Sequence, residues 1–142
     1  MKNKLRRFEI IEHTADIGLK IYAKDLKGIF KNAAIGLLSL ITDSGKVSAK
    51  KVIKVNLKEE NKEELLVSWL DELIFQFSAH NFLAKQFKIN KVTDNAISAE
   101  IRGEKINLSK HKILTEIKAA TYHELEIKRT KEGLQARVIL DT

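Results

Sequence analysis

Three clusters of chemically capable residues stand where apolar, strand-like runs begin or end. They are His13 to Asp16 ahead of Ile17, Glu116 to His123 in E-I-K-A-A-T-Y-H, and Asp141-Thr142 after the run Leu134 to Leu140. The mouths of rigid elements are where loops usually carry function. If the fold gathers the three, it collects the carboxylates of Asp16 and Asp141, the main-chain carboxylate of Thr142, the imidazoles of His13 and His123 and the amine of Lys118. Carboxylate oxygens delivered by strands suit hard cations such as calcium, magnesium or manganese. A lysine among small residues, with Glu116 two positions back, can approach a phosphate closely. Each residue also has a plainer reading. Asp16 alone would be a turn aspartate bonded to its own backbone, and last residues are usually frayed. A lone histidine is more often structural than a ligand, and Lys118 could snorkel to solvent. His80 suits a helix C-terminus, where it meets the dipole; His111 lies in a polar loop.

Composition removes several chemistries. With no cysteine among 142 residues, there is no disulfide, thiolate nucleophile or sulfur-based zinc site. The G-x-x-x-x-G-K-[ST], H-E-x-x-H and G-x-S-x-G patterns are absent as well. The net charge of +7 comes mostly from lysine. Spread along the chain, it reads first as a solvated surface, because bidentate phosphate recognition favours arginine. No apolar run is long enough for a membrane span, and no apolar block follows the basic N-terminus, so a cytoplasmic location is expected.

The elements that must hold these residues follow from periodicity. Ile17, Leu19, Ile21 and Ala23 alternate as a strand, preceded by a short one at Phe8-Glu9-Ile10, with H-T-A-D as the turn. Asp25 caps a helix whose apolar positions run from Leu26 to Ile41 and which stops near Thr42 to Gly45. Ile53, Val55 and Leu57 mark a strand with a charged outer face. Asn61 and Glu64 resemble a capping box opening a second helix, with a stripe from Leu65 through Trp69 to Phe77. Phe87 to Ile89 and Ile97 to Ile101 pair through Asp94-Asn95, with Gly103 closing the second strand; Tyr122 to Lys128 and Leu134 to Leu140 form another hairpin. The prediction is one α+β domain over residues 1–142: two helices packed on a mostly antiparallel sheet of about six or seven strands.

In its order of blocks the chain resembles the archease family. The likeness rests on E-H-T-A-D-I-G at Glu12 to Gly18, D-L-x-G-I-F-x-N-A-A at Asp25 to Ala34, L-L-V-S-W-L-D-E-L-I-F at Leu65 to Phe75, E-I-K-A-A-T-Y-H at Glu116 to His123 and the closing A-R-V-I-L-D-T. Archeases assist the RtcB-type RNA ligase of tRNA splicing and RNA repair, which works through a guanylylated histidine. The resemblance implies a non-catalytic protein cofactor that promotes this guanylylation and allows multiple turnover. It implies metal ligation by Asp16, Asp141 and the terminal carboxylate of Thr142, with calcium first and magnesium or manganese as alternatives. Lys118, Glu116 and His13 would be the ligase-activating residues. The family often ends in Asp followed by Ile or Val; Thr142 changes that side chain and keeps the carboxylate. The partner would be the ligase, with tRNA or other RNA met through it, no membrane, and a monomeric state. Two other readings compete. A stand-alone metal-dependent phosphoesterase would use the same carboxylates, and a basic RNA-binding or chaperone module would use the lysines.

Overall fold

A computed structural model describes residues 6–12 and 16–142. The elements run β1 (Phe8–Glu12), β2 (Asp16–Ala23), α1 (Leu26–Ile41), β3 (Lys51–Lys58), α2 (Lys62–His80), β4 (Phe82–Val92), β5 (Ala96–Lys105), β6 (Ala119–Ala120), β7 (Glu126–Thr130) and β8 (Gly133–Asp141). Both helices start where side chains replace missing backbone partners. The Asp25 carboxylate accepts from Gly28 N–H at 2.8 Å, and the Asn61 side-chain oxygen accepts from Glu64 N–H at 2.8 Å. The Glu64 carboxylate takes a bond from the Asn61 side-chain amide at 3.2 Å, not from a backbone N–H as in a capping box. Asn81, at φ 55°, ends α2 by turning its N–H back to the carbonyls of Gln76 and Phe77.

The expected α+β architecture of two helices with antiparallel strands is the one observed, but the strands divide between two sheets. One has the order β1-β2-β8-β6, with β7 also paired to β8; the other is β3-β5-β4. Every strand pair among the described residues is antiparallel. Each helix touches strands of both sheets, which makes one continuous core. Trp69 is fully buried at its centre. Its indole N–H donates to the Phe30 carbonyl of α1 at 2.9 Å, and its ring meets Phe87 of β4 edge-on at 6.4 Å.

Several boundaries differ from the periodicity reading: β1 runs on to Glu12, Asp16 opens β2 instead of lying in the turn, and β4 spans Phe82–Val92. Gly103 does not close β5 but lies inside it, opposite Ala84 where β4 bulges, and a Cβ there would collide with the Leu83 carbonyl. Its smallness admits a neighbouring backbone. Tyr122 to Leu125 alternates in type but forms a turn: Leu125 N–H donates to the Tyr122 carbonyl at 3.2 Å, and Glu124 takes φ 54°. The strand therefore begins at Glu126.

The long connection from Ile106 to Lys118 is held along its length as well as at its ends. Thr42 Oγ1 donates to the Lys112 carbonyl at 2.7 Å, and Leu114 N–H donates to the Ile41 carbonyl at 2.8 Å. Further back, the nearly buried Glu104 carboxylate accepts from Lys110 Nζ at 2.7 Å, Ser48 N–H at 2.8 Å and His111 Nε2 at 2.9 Å. His111 Nδ1 accepts from Asn107 N–H at 3.0 Å, which places the ring proton on Nε2. His111 is thus a buried structural staple and not a loop residue facing water. The Lys110 ammonium, followed by the Ser48 N–H, holds the Glu104 carboxyl below its ordinary 4.5, at about 2. Between those values the unfolded carboxyl binds more protons than the folded one, so this contribution is complete above pH 4.5 and is lost as pH falls toward 2. Urea midpoints measured across that window should fall steeply for the wild type and less steeply for Glu104→Gln. Parallel profiles would remove Glu104 from the account.

Candidate metal and ligase-activating site

The register of the larger sheet decides where the predicted residues meet. β8 lies between β2 and β6; Asp16 pairs with Asp141, and Ala119 pairs with Asp141 from the other side. Residues far apart in the chain therefore share one row. Along β2 the core face takes Leu19 and Ile21, and along β8 it takes Ala136, Val138 and Leu140. Alternation puts Asp16 and Asp141 together on the opposite, outer face. Directly opposed residues have Cβ atoms about 4.5–5.5 Å apart, and like charges so placed repel. Asp141 is exposed and Asp16 partly so.

The K-A-A-T segment is fastened in place from two sides, β8 and α2. Lys118 N–H donates to the Asp141 carbonyl at 2.8 Å, and Thr121 N–H and Oγ1 each donate to the Ile139 carbonyl at 2.9 Å. From the helical layer, Asp71 of α2 accepts the Ala120 N–H at 2.7 Å. Desolvation raises the Asp71 carboxyl above its ordinary value, against the opposing effect of that hydrogen bond. Asp71→Ala should leave a buried N–H unpaired and cost about 1–3 kcal/mol. Asp71→Asn, which keeps an acceptor and removes a half-buried charge, should be neutral or stabilising at neutral pH. Chemical denaturation of both variants checks this; equal losses in the two would contradict it.

Over residues 8–142 the chain matches the model of the Archease protein family. The chain belongs to the archease family. Protein archease of Methanosarcina acetivorans is 36% identical over 145 residues, covering 99% of each chain. Protein archease of Sulfurisphaera tokodaii is 35% identical, covering 87% of this chain and 89% of its own. Among solved structures, a Methanobacterium thermoautotrophicum protein superposes with TM-score 0.80 at 36% identity, over 95% of this chain and 98% of that one. An archease from Thermotoga maritima, at TM-score 0.67 and 24% identity over 94% and 96% of the two chains, shares the fold.

In this archease the row unites Asp16, Asp141 and the backbone of Lys118 to Ala119, with Thr142 exposed next to Asp141. Glu116 and Lys118 are both exposed, so the amine is free to reach a ligand. His13 lies outside the described residues. His123 turns toward Glu124, with 3.7 Å between Nε2 and the carboxylate, and both are exposed. His80 closes α2 and packs beside Phe75 with ring centres 5.1 Å apart.

Asp71 is the positioning residue that periodicity did not single out. Its signal was an acid in the middle of an apolar helix, directly after Trp69-Leu70. The donors available to a cation are hard oxygens, which fit calcium, magnesium or manganese. Among the described residues no three His, Cys, Asp or Glu side chains cluster as a closed metal cage. Among the same residues no helix is long and apolar enough to cross a membrane.

Proposed function

We propose that this archease is a non-catalytic protein cofactor of an RtcB-type RNA ligase, promoting guanylylation of the ligase histidine and its repeated turnover in tRNA splicing and RNA repair. The observation that carries the reading is the register pair Asp16–Asp141, two like charges on one face of a sheet beside the K-A-A-T segment. A cation between them turns a repulsive pair into a ligand set. Asp16 and Asp141 hold the ion, joined by the main-chain carboxylate of Thr142 where that residue closes the chain; calcium is the first candidate, ahead of magnesium and manganese. When bound, the ion supplies positive charge against the phosphates of guanylyl transfer. The Lys118 amine neutralises phosphate oxygens at the same tip, and Glu116 and His13 flank it as ligase-activating residues. Because two side-chain carboxylates leave most coordination positions open, the site binds weakly alone and is completed when the tip enters the nucleotide-loaded centre of the ligase. The protein works as a cytoplasmic monomer that is released after each event.

The test is ligase guanylylation with this protein at sub-stoichiometric concentration. Catalytic stimulation supports the reading, and no stimulation contradicts it. A stand-alone phosphoesterase would instead turn over a phosphodiester with no ligase present.

A further inference from the structure

A groove of about 600 Å³ runs between α1 and the edge strand β4. It is lined by Lys27 and Lys31 of α1, Lys85 and Lys88 of β4 and Arg102 of β5, and among the described residues its only lining carboxylate is Glu100. Glu100 stands in register between Lys54 of β3 and Lys88 of β4, so even that charge is outnumbered. Among the described residues none of these six cations is in an ion pair. The undescribed residues include no Asp or Glu. The positive charge that looks dispersed along the sequence is therefore locally concentrated and unneutralised.

We propose that this groove grips the phosphate backbone of structured RNA directly, without reading its bases. Lys27 and Lys31 are one helical turn apart, with Cβ atoms about 6 Å from each other, a spacing of the order of consecutive phosphates. Ammonium groups on flexible stems act as point charges, which suits a phosphate chain. A docked acidic protein would favour arginine forks around an exposed apolar anchor. Here four of the five lining cations are lysines, and the groove's aromatic, Phe87, is only 6% exposed. No lining ring is available to stack bases, so binding follows the backbone. The groove's lining starts near the opening of α1 and follows that helix back to Ile35. None of the residues lining the groove belongs to the Asp16–Asp141 row, so one molecule can hold RNA without using that row. This contact is independent of the ligase reading, and its test uses protein and RNA alone, so either can fail without the other.

Fluorescence anisotropy of a labelled RNA hairpin, titrated at about 50–200 mM KCl, should show affinity falling with salt at a log–log slope of about −3 to −4. Lys31→Glu/Lys88→Glu should weaken binding by about tenfold or more and flatten that slope by about 2. Lys46→Glu/Lys112→Glu carries the same charge change beyond the opposite end of α1 and should alter binding by less than about twofold. Circular dichroism establishes that both double variants are folded. Equal weakening by the two variants would reduce the effect to net charge and overturn the groove. So would an unchanged slope, or displacement of the RNA by polyglutamate at equal charge, which would make the groove a site for acidic protein.

Discussion

Asp16→Asn and Asp141→Asn should each abolish the rise in Tm that calcium gives the wild type, and should cut stimulation of ligase guanylylation by about 100-fold or more. In EDTA the order should reverse. Asp16 and Asp141 face each other across β2 and β8, so removing one charge relieves repulsion of about 0.2–1 kcal/mol, and the variants should match or exceed the wild type. With calcium the wild type gains what binding supplies. An open site of weak affinity, Kd about 0.1–1 mM, at about 10 mM calcium gives about 1.4–2.7 kcal/mol, or roughly 4–8 °C in Tm. This crossover separates a ligand role from a structural one. Variants that lose stability equally with and without calcium would show the carboxylates to be packing residues.

The largest loss of stability is expected at Trp69. Trp69→Ala removes a side chain that is 0% exposed, together with its bond to Phe30 and its edge contact with Phe87. Truncations of this kind cost about 3–5 kcal/mol, a large part of the usual 5–15 kcal/mol of a domain. Thermal unfolding should therefore shift by about 6–20 °C. The effect should also reach the tip, because Asp71 lies two residues further along α2 and holds the Ala120 N–H. Trp69→Phe keeps most of the buried ring and loses the indole N–H, so its cost should be about 1–2 kcal/mol. If Trp69→Ala cost no more than Trp69→Phe, Trp69 would not be the tie between α1, α2 and β4.

Much of this arrangement was readable from residue types because local signals and burial agreed. Alternation from Ile17 to Ala23 and the helical stripes after Asp25 and Asn61 locate both helices, their N-caps and the strand from Ile17, while Asp16, which reads as part of the H-T-A-D turn, is the first residue of that strand. Gly103 misled because a glycine admitting another backbone looks the same in sequence as one ending a strand. Tyr122 to Leu125 misled because alternation of type does not reveal a left-handed residue at Glu124. His111 was underrated because its burial depends on Glu104, whose partners Ser48 and Lys110 come from separate segments. The division into two sheets depends on long-range pairing, as does the meeting of Asp16 with Asp141, and neither is a local property of the chain. Lysines of α1 and β4 and an arginine of β5 form a groove for the same reason: the chain disperses what the fold assembles.

The most direct measurement of the central claim is anomalous X-ray scattering from crystals of this protein soaked in manganese. A single anomalous peak within coordination distance of both the Asp16 and Asp141 carboxylates, absent from Asp16→Asn crystals, is the predicted result. Manganese bound elsewhere, with those two carboxylates turned apart and facing solvent, would contradict it.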